Sequence, residues 1–240
     1  MLLIAVARVG SRCLHSFRFV LLRLLFAGAA AVLGAARAIA ELEPPNVECH
    51  ILIAACENMI NERAIVPGDI LVASNKKTIE VLNTDAEGRL TMADALVYAD
   101  QKLKCEEILE LSTLTGACMA ALGTAMAGLF TNDDGMAETL LAVGEYSGDK
   151  LWRMPMEESY AEEIKSKLAD LKNIGGRFGG AITAALFLQN FVDQAKFSHV
   201  DMAGSVWDYK SSQASGYGAR LVTAWVLDKS ASVAEDTELN

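Results

Sequence analysis

The sequence predicts an α/β sandwich with a largely parallel or mixed sheet. Hydrophobic residues make up 52% of the 240 residues, which is ample for one large core. From residue 29 to residue 228, short apolar runs of strand length alternate with longer helical patterns. No internal repeat interrupts this alternation. We therefore expect one large domain, or one domain with an appendage.

Six runs have the length and apolar character of strands. They cover residues 48–56, 69–73, 78–82, 107–112, 126–131 and 197–202. The first resembles a buried strand, and the second and third flank the turn residues Asn75-Lys76-Lys77. The fourth leads into a Thr-Leu-Thr-Gly loop.

Six further segments are predicted to be helices. They cover residues 29–42, 91–103, 134–147, 157–168, 182–192 and 218–227. The first is rich in alanine and is stopped by Pro44-Pro45. The segments from 134 and 157 begin with acidic residues, as the helix dipole favours. The acidic tail, residues 230–240, is expected to fray.

Charge and cysteine usage exclude several classes of partner. The net charge of −10 argues against nucleic acid or an anionic membrane as the main partner. The five cysteines show no metal-finger spacing and are expected to be reduced core thiols of an intracellular protein. The histidines His15, His50 and His199 are scattered, so a histidine-based zinc site is not expected.

Residues 1–26 differ from the rest of the chain. They contain four arginines and no acidic residue on an apolar background. This composition suits an organelle transit peptide or a signal anchor, although the arginines interrupt every stretch that could span a membrane. A third interpretation, which we favour, is unrelated sequence joined to a truncated domain. We expect a helical or disordered appendage that donates nothing to a site.

Residues 83–90, Asn-Thr-Asp-Ala-Glu-Gly-Arg-Leu, are the most informative segment. In an extended or looped backbone, Asp85, Glu87 and Arg89 would point the same way. Two converging carboxylates repel each other unless a cation lies between them, and a divalent metal ion is a suitable partner. The spacing alone is more typical of a solvated, self-paired loop than of a metal site.

This octapeptide resembles the signature of the leucine aminopeptidase family, the M17-type dinuclear metallopeptidases. The resemblance continues from about residue 27 to residue 229 in the family's order and is strongest to plant and algal forms. Further matching segments are Pro67-Gly-Asp-Ile70, Thr113-Leu-Thr-Gly-Ala117, Gly179-Gly-Ala-Ile-Thr183 and Asp201-Met-Ala-Gly204. It implies a partial catalytic domain of that family, a three-layer sandwich with a mixed, largely parallel sheet between helices.

The resemblance also implies roles for individual residues. Asp85 and Glu87 are expected to bind metal, with Glu87 bridging two ions, and Arg89 is expected to hold a catalytic bicarbonate. Carboxylate ligands suit Mn²⁺, Mg²⁺ or Zn²⁺. The residues expected to contact the substrate are Thr113, Leu114, Gly116, Ala203 and Val206. Ordinary packing explains these five equally well.

Part of the family's pattern is missing. Its other ligands, a lysine and two aspartates, lie upstream in and after a T-F-D-S-G-G segment that this sequence does not contain, and a second catalytic lysine lies there too. Alignment on Gly28 places the last aspartate at Leu25 and a neighbouring lysine at Arg23. Two of five protein ligands remain, so one ion or none is expected to bind.

Two hypotheses follow. In the first, the protein is a metalloaminopeptidase that releases leucine-like N-terminal residues from peptides. In the second, it is a catalytically impaired homologue or fragment, at most a structural subunit of a homo-hexamer. A cytoplasmic location is expected, or a plastid or mitochondrial one if residues 1–26 are a transit peptide.

Overall fold

The computed structural model describes the backbone of residues 2–10, 26–58 and 60–238. Eleven strands are found in these ranges. They are β1 Leu2–Gly10, β2 His50–Asn58, β3 Ile70–Val72, β4 Thr78–Glu80, β5 Glu107–Ser112, β6 Ala127–Thr131, β7 Leu151–Arg153, β8 Leu171–Lys172, β9 Lys196–Asp201, β10 Trp207–Asp208 and β11 Gln213–Ala214. Six of them form the main sheet, in the order β2-β1-β5-β9-β6-β7.

The main sheet is mixed and largely parallel, as predicted. Strand β1 is parallel to β2 and β5, β5 is parallel to β9, and β6 is parallel to β7. Only the pairing of β6 with β9 is antiparallel within this sheet. The parallel strands therefore bring the ends of β2, β5 and β9 to the same edge of the sheet.

The expectation of a helical or disordered segment at residues 1–26 is wrong for Leu2–Gly10. These residues form β1, which lies between β2 and β5 and pairs with β2 from Leu2↔His50 to Gly10↔Asn58. A parallel strand inside a sheet needs an apolar run with β-branched residues, and Ile4, Val6 and Val9 provide one. Residues 11–25 lie outside the described ranges.

Six α-helices are found among the described residues, and they lie on the two faces of the main sheet. They are α1 Ala27–Leu42, α2 Glu87–Val97, α3 Gly116–Leu122, α4 Asp134–Ser147, α5 Gly180–Gln189 and α6 Ala219–Glu238. Helix α2 continues into a π-helical segment, Tyr98–Leu103, and Glu158–Ile164 form a 3₁₀ helix instead of the predicted α-helix. The predicted fraying from residue 230 is wrong for the backbone, because α6 continues to Glu238.

Two apolar layers give the three-layer sandwich that the sequence predicted. On one face, Leu109 and Leu111 of β5 join a core with residues of α1, α4 and α6. On the other, Ile108 packs with residues of α2 and α5. This division follows from the alternation of side chains along a strand. Glu110 and Ser112 share the face of Ile108 and are also buried.

A smaller sheet has the order β3-β4-β8, and its strands β3 and β4 precede α2 in the chain. Strand β3 is antiparallel to β4, and β4 is parallel to β8. The main chain leaves β4 for the octapeptide and then enters α2, so this sheet positions the predicted site. In the part of the chain that is described, no helix has the length and apolar character needed to cross a membrane.

Candidate active site

The acidic loop, residues 83–87, lies at the edge of the main sheet where the parallel strands end. Asn58, the last residue of β2, donates a hydrogen bond from Nδ2 to the carbonyl oxygen of Thr84 at 3.1 Å. Within the loop, the N–H of Asp85 donates to Oδ1 of Asn83 at 2.9 Å. Ligand sites of open α/β sheets occur at this edge.

The second half of the octapeptide is helical, and this corrects the predicted geometry. Glu87 is the first residue of α2, so Glu87 and Arg89 do not alternate as in an extended chain. Successive helical residues are rotated by about 100°, which turns these two side chains about 200° apart. Asp85 is exposed and Glu87 is half-buried, whereas Arg89 is only 6% exposed.

Arg89 is a buried cation with unused donors. Its Nε and Nη1 atoms have no hydrogen-bond partner among the described residues. Its guanidinium carbon lies 6.0 Å from the centroid of the Phe187 ring on α5. Burial lowers the pKa of Arg89 to about 10, and the charges of Asp201 and Glu87 oppose that shift. Buried N–H donors of this kind need an acceptor, so the guanidinium fits the bicarbonate that the resemblance implies.

Asp201, the last residue of β9, connects two of the segments predicted to bind substrate. Its Oδ1 accepts from the N–H of Leu114 at 3.1 Å and from the N–H of Ala203 at 3.2 Å. Its Oδ2 accepts from the hydroxyl of Thr115 at 2.6 Å. Burial raises the pKa of Asp201, although His199 and the hydrogen bonds from Thr115 and Ala203 act in the opposite direction.

The acidic loop and the Thr-Leu-Thr-Gly loop are neighbours. A Cβ atom placed on Gly88 would lie 3.6 Å from Cδ1 of Leu114. A Cβ atom placed on Gly204 would lie only 2.0 Å from the carbonyl oxygen of Gly123. The 203–206 turn therefore needs glycine at this position to pack against the end of α3.

The five predicted substrate residues differ in their surroundings. Thr113 and Leu114 are half-buried, and Gly116 is exposed, all at the end of β5 or the start of α3. Ala203 is half-buried beside Asp201. Val206 belongs to the hydrophobic core on the face of α1, α4 and α6. This surrounding corresponds to ordinary packing, the alternative to substrate contact.

The described residues do not fit a two-ion centre. Among them, no group of three or more His, Cys, Asp or Glu side chains is arranged to hold a metal ion. The sequence offers no Asp, Glu or Lys in residues 1–26. Asp85 and Glu87 are hard oxygen donors that suit a divalent cation, but they are a partial ligand set even for one ion.

Sequence reasoning did not identify the buried ion pair between His199 and Glu110. His199 on β9 and Glu110 on β5 are register neighbours, both fully buried, and Nδ1 of His199 is hydrogen-bonded to the Glu110 carboxylate. Phe130 stacks on the imidazole with ring centroids 5.4 Å apart. We call Arg89, Glu110, His199 and Asp201 the buried polar cluster. In the sequence, Glu110 lies between two leucines and His199 between Ser198 and Val200, and neither neighbourhood indicates that the two side chains pair.

The fold and this site define an α/β protein with a buried arginine and an acidic loop at the strand ends. The sequence model of the cytosol aminopeptidase family, catalytic domain, matches residues 20–223. The chain therefore belongs to the cytosol aminopeptidase family.

Individual relatives agree with this assignment. The chain is 54% identical over 226 residues to leucine aminopeptidase 2, chloroplastic, from Arabidopsis thaliana, covering 94% of this chain and 38% of the relative. It is 56% identical to a probable cytosol aminopeptidase from a Cyanothece species, covering 84% of this chain and 41% of the relative. A solved tomato leucine aminopeptidase mutant matches with a TM-score of 0.86 and 51% identity, over 95% of this chain and 44% of that one. The chain thus spans about two fifths of the length of these relatives.

Proposed function

We propose that the protein serves aminopeptidase chemistry of the leucine aminopeptidase type, the release of leucine-like N-terminal residues from peptides with the help of divalent metal ions and bicarbonate. The observation that carries this proposal is the meeting of three groups at one edge of the sheet. These groups are the acidic loop, the buried Arg89 and the Leu114 loop held by Asp201.

Each group has a chemical task in this proposal. The unused donors of Arg89 would hold a small oxyanion, which would supply a proton acceptor for the attacking water. The loop at Leu114 and the turn at Ala203 line the place of the peptide and its side chain. Asp85 and Glu87 supply carboxylate oxygens for Mn²⁺ or Zn²⁺, which in such sites polarises the scissile carbonyl group.

The incomplete ligand set favours a second candidate. Because the described residues hold no group of three or more metal-binding side chains, the chain by itself would be a catalytically impaired homologue. Two divalent ions carry four positive charges, and the carboxylates of Asp85 and Glu87 offset only two of them. In this case its role is at most that of a structural subunit in a homo-hexamer.

Turnover of leucine amide with added Mn²⁺ separates the two candidates. The purified chain is compared with an Asp85→Ala, Glu87→Ala double variant. We expect weak turnover or none, and at most one weakly bound Mn²⁺ ion per chain. Robust turnover that the double variant loses would instead establish the complete aminopeptidase.

The cellular location and the oligomeric state of the protein are also proposals. We propose a cytoplasmic protein that forms homo-oligomers and acts on peptides. A plastid or mitochondrial location is the alternative if residues 1–26 act as a transit peptide. Relatives named as chloroplastic and as cytosol aminopeptidases support both locations. Fluorescent fusions to the whole chain and to residues 27–240 would distinguish them.

A further inference from the structure

A buried asparagine outside the octapeptide holds the acidic loop in place. Asn173 follows β8 directly, and its N–H donates to the carbonyl oxygen of Glu80 at 2.9 Å, extending the pairing of β8 with β4. The residue is completely buried. Its main chain is therefore fixed by the small sheet, and its side chain extends to the loop that follows β4.

The Asn173 carboxamide bonds to four main-chain groups of the loop. Its Oδ1 accepts from the N–H of Leu82 at 2.8 Å and from the N–H of Asn83 at 3.3 Å. Its Nδ2 donates to the carbonyl oxygen of Asn83 at 2.7 Å and to that of Ala86 at 3.4 Å. Two acceptor and two donor positions are the full capacity of an asparagine side chain.

These four bonds lie on both sides of Asp85 and end directly before Glu87. The bonded groups lie just before Asp85 and just before Glu87, and Ala86 is the residue that precedes α2. The loop is thus held on both sides of Asp85 by one side chain that is 90 residues away from Asn83 in the sequence. Asn58 adds the bond to Thr84 from the end of β2.

We propose that Asn173 is the positioning residue of the acidic loop and sets the directions of the Asp85 and Glu87 carboxylates. The inference rests on the proposed function for the use of these carboxylates, but not for the conformation of the loop. A buried aspartate at position 173 could only accept hydrogen bonds, and leucine could make none. Asparagine is the residue of this size that both accepts and donates here.

Amide exchange measured by NMR tests the conformation directly. In Asn173→Leu, we expect the amides of Leu82 and Asn83 to exchange at least tenfold faster, while amides of β5 and β9 keep their protection. Asn173→Asp retains the acceptors, so protection at these two amides should largely return. The matched control is Asn190→Leu, which removes a bond from Nδ2 to the carbonyl oxygen of Leu186 and leaves the loop untouched.

Binding of Mn²⁺ alone, followed by the loss of the free-ion EPR signal, tests the positioning. Changes to groups that orient metal ligands weaken affinity about 10–100-fold. We expect Asn173→Leu to weaken Mn²⁺ binding at least tenfold and Asn190→Leu to leave it within twofold. If Asn173→Leu does not fold, Asn173→Ser, which is too short to bond to all four groups, takes its place.

The outcomes separate this inference from the proposed function. Unchanged exchange at Leu82 and Asn83 in Asn173→Leu would overturn the inference. Mn²⁺ affinity that depends on Asp85 and Glu87 but is unaffected by Asn173→Leu would overturn it too. A wild-type chain that binds no Mn²⁺ would contradict the proposed metal role, and the exchange rates alone would then decide on Asn173.

Discussion

Asp85 and Asp201 carry the same side chain at the same edge of the sheet, in opposite surroundings. Asp85 is exposed in the acidic loop, whereas Asp201 is 1% exposed and accepts hydrogen bonds from Leu114, Thr115 and Ala203. A carboxylate exposed to water is hydrated and remains accessible to a ligand. A buried carboxylate is stable only when its oxygens are paired, so it fixes the groups that pair with it.

The site thus has two parts. The buried polar cluster fixes the neighbouring loops, and the acidic loop presents carboxylates at the surface. In the buried polar cluster, Glu110 pairs with His199 and Asp201 accepts hydrogen bonds from three neighbours, whereas Arg89 keeps two donor atoms without a partner among the described residues. The acidic loop carries charges whose side chains reach the surface while its main chain is fixed by asparagines. Substitutions in the two parts should therefore affect stability and binding in different proportions.

The largest effect on stability is expected for Asp201→Ala. The substitution leaves the N–H groups of Leu114 and Ala203 without an acceptor and removes an opposite charge near Arg89. Breaking a buried, hydrogen-bonded charge cluster in this way costs about 3–5 kcal/mol. Urea unfolding followed by circular dichroism measures the loss.

Asp85→Ala is the matched control for that measurement. Because Asp85 is exposed, we expect its removal to change the free energy of unfolding by less than about 0.5 kcal/mol. Equal losses in the two variants would break the distinction between the acidic loop and the buried polar cluster.

The second-largest effect on stability is expected for Arg89→Met, which should raise the free energy of unfolding instead of lowering it. Burial lowers the pKa of Arg89 to about 10, and since one pKa unit corresponds to about 1.4 kcal/mol, the buried charge costs the folded state about 3 kcal/mol. Two of its donors are also unpaired among the described residues. A methionine of similar length removes this cost of a buried charge, so it should stabilise the chain by about 1–3 kcal/mol although Asp201 and Glu87 lose a nearby positive charge.

The same variant should lose the anion. Bicarbonate should raise the melting temperature of the wild-type chain and leave that of Arg89→Met unchanged, because a ligand stabilises only a state that binds it. Chloride at equal ionic strength is the control for screening. A less stable Arg89→Met variant, or one that still responds to bicarbonate, would contradict the proposed role of Arg89.

Much of the fold was predictable from local pattern. The predicted bounds of β5 and α4 agree with the structure residue for residue. Both have local boundaries, since β5 is an apolar run and α4 begins at Asp133, whose side chain accepts from the N–H of Met136. Strand β1 was missed because its arginine and its basic neighbours outweighed a short apolar run.

The site was predictable only where its residues are adjacent in sequence. The octapeptide identified Asp85, Glu87 and Arg89 as one group. Asp201 and Asn173 act through bonds to residues 86 to 91 positions away, which no local pattern reveals. The helical start at Glu87 was also missed, because charges spaced by two residues favoured an extended interpretation.

The smallest effect is a pH dependence of stability that comes from His199 in the buried polar cluster. Burial alone would lower the pKa of His199, but the charge and hydrogen bond of Glu110, with the charge of Asp201, outweigh it and raise that pKa. The folded state therefore binds the His199 proton more tightly than the unfolded state does. The resulting stabilisation is complete below about pH 6.5, the ordinary pKa of histidine, and is lost as the pH rises through the folded value. One proton limits the slope to about 1.4 kcal/mol per pH unit.

Urea unfolding between pH 6 and pH 9 should show this decline in the wild-type chain and a flatter profile in His199→Gln. His50→Gln is the control, because His50 lies near the surface, outside the buried polar cluster. A His199→Gln profile as steep as that of the wild type would show that the imidazole does not hold the proton in the folded state.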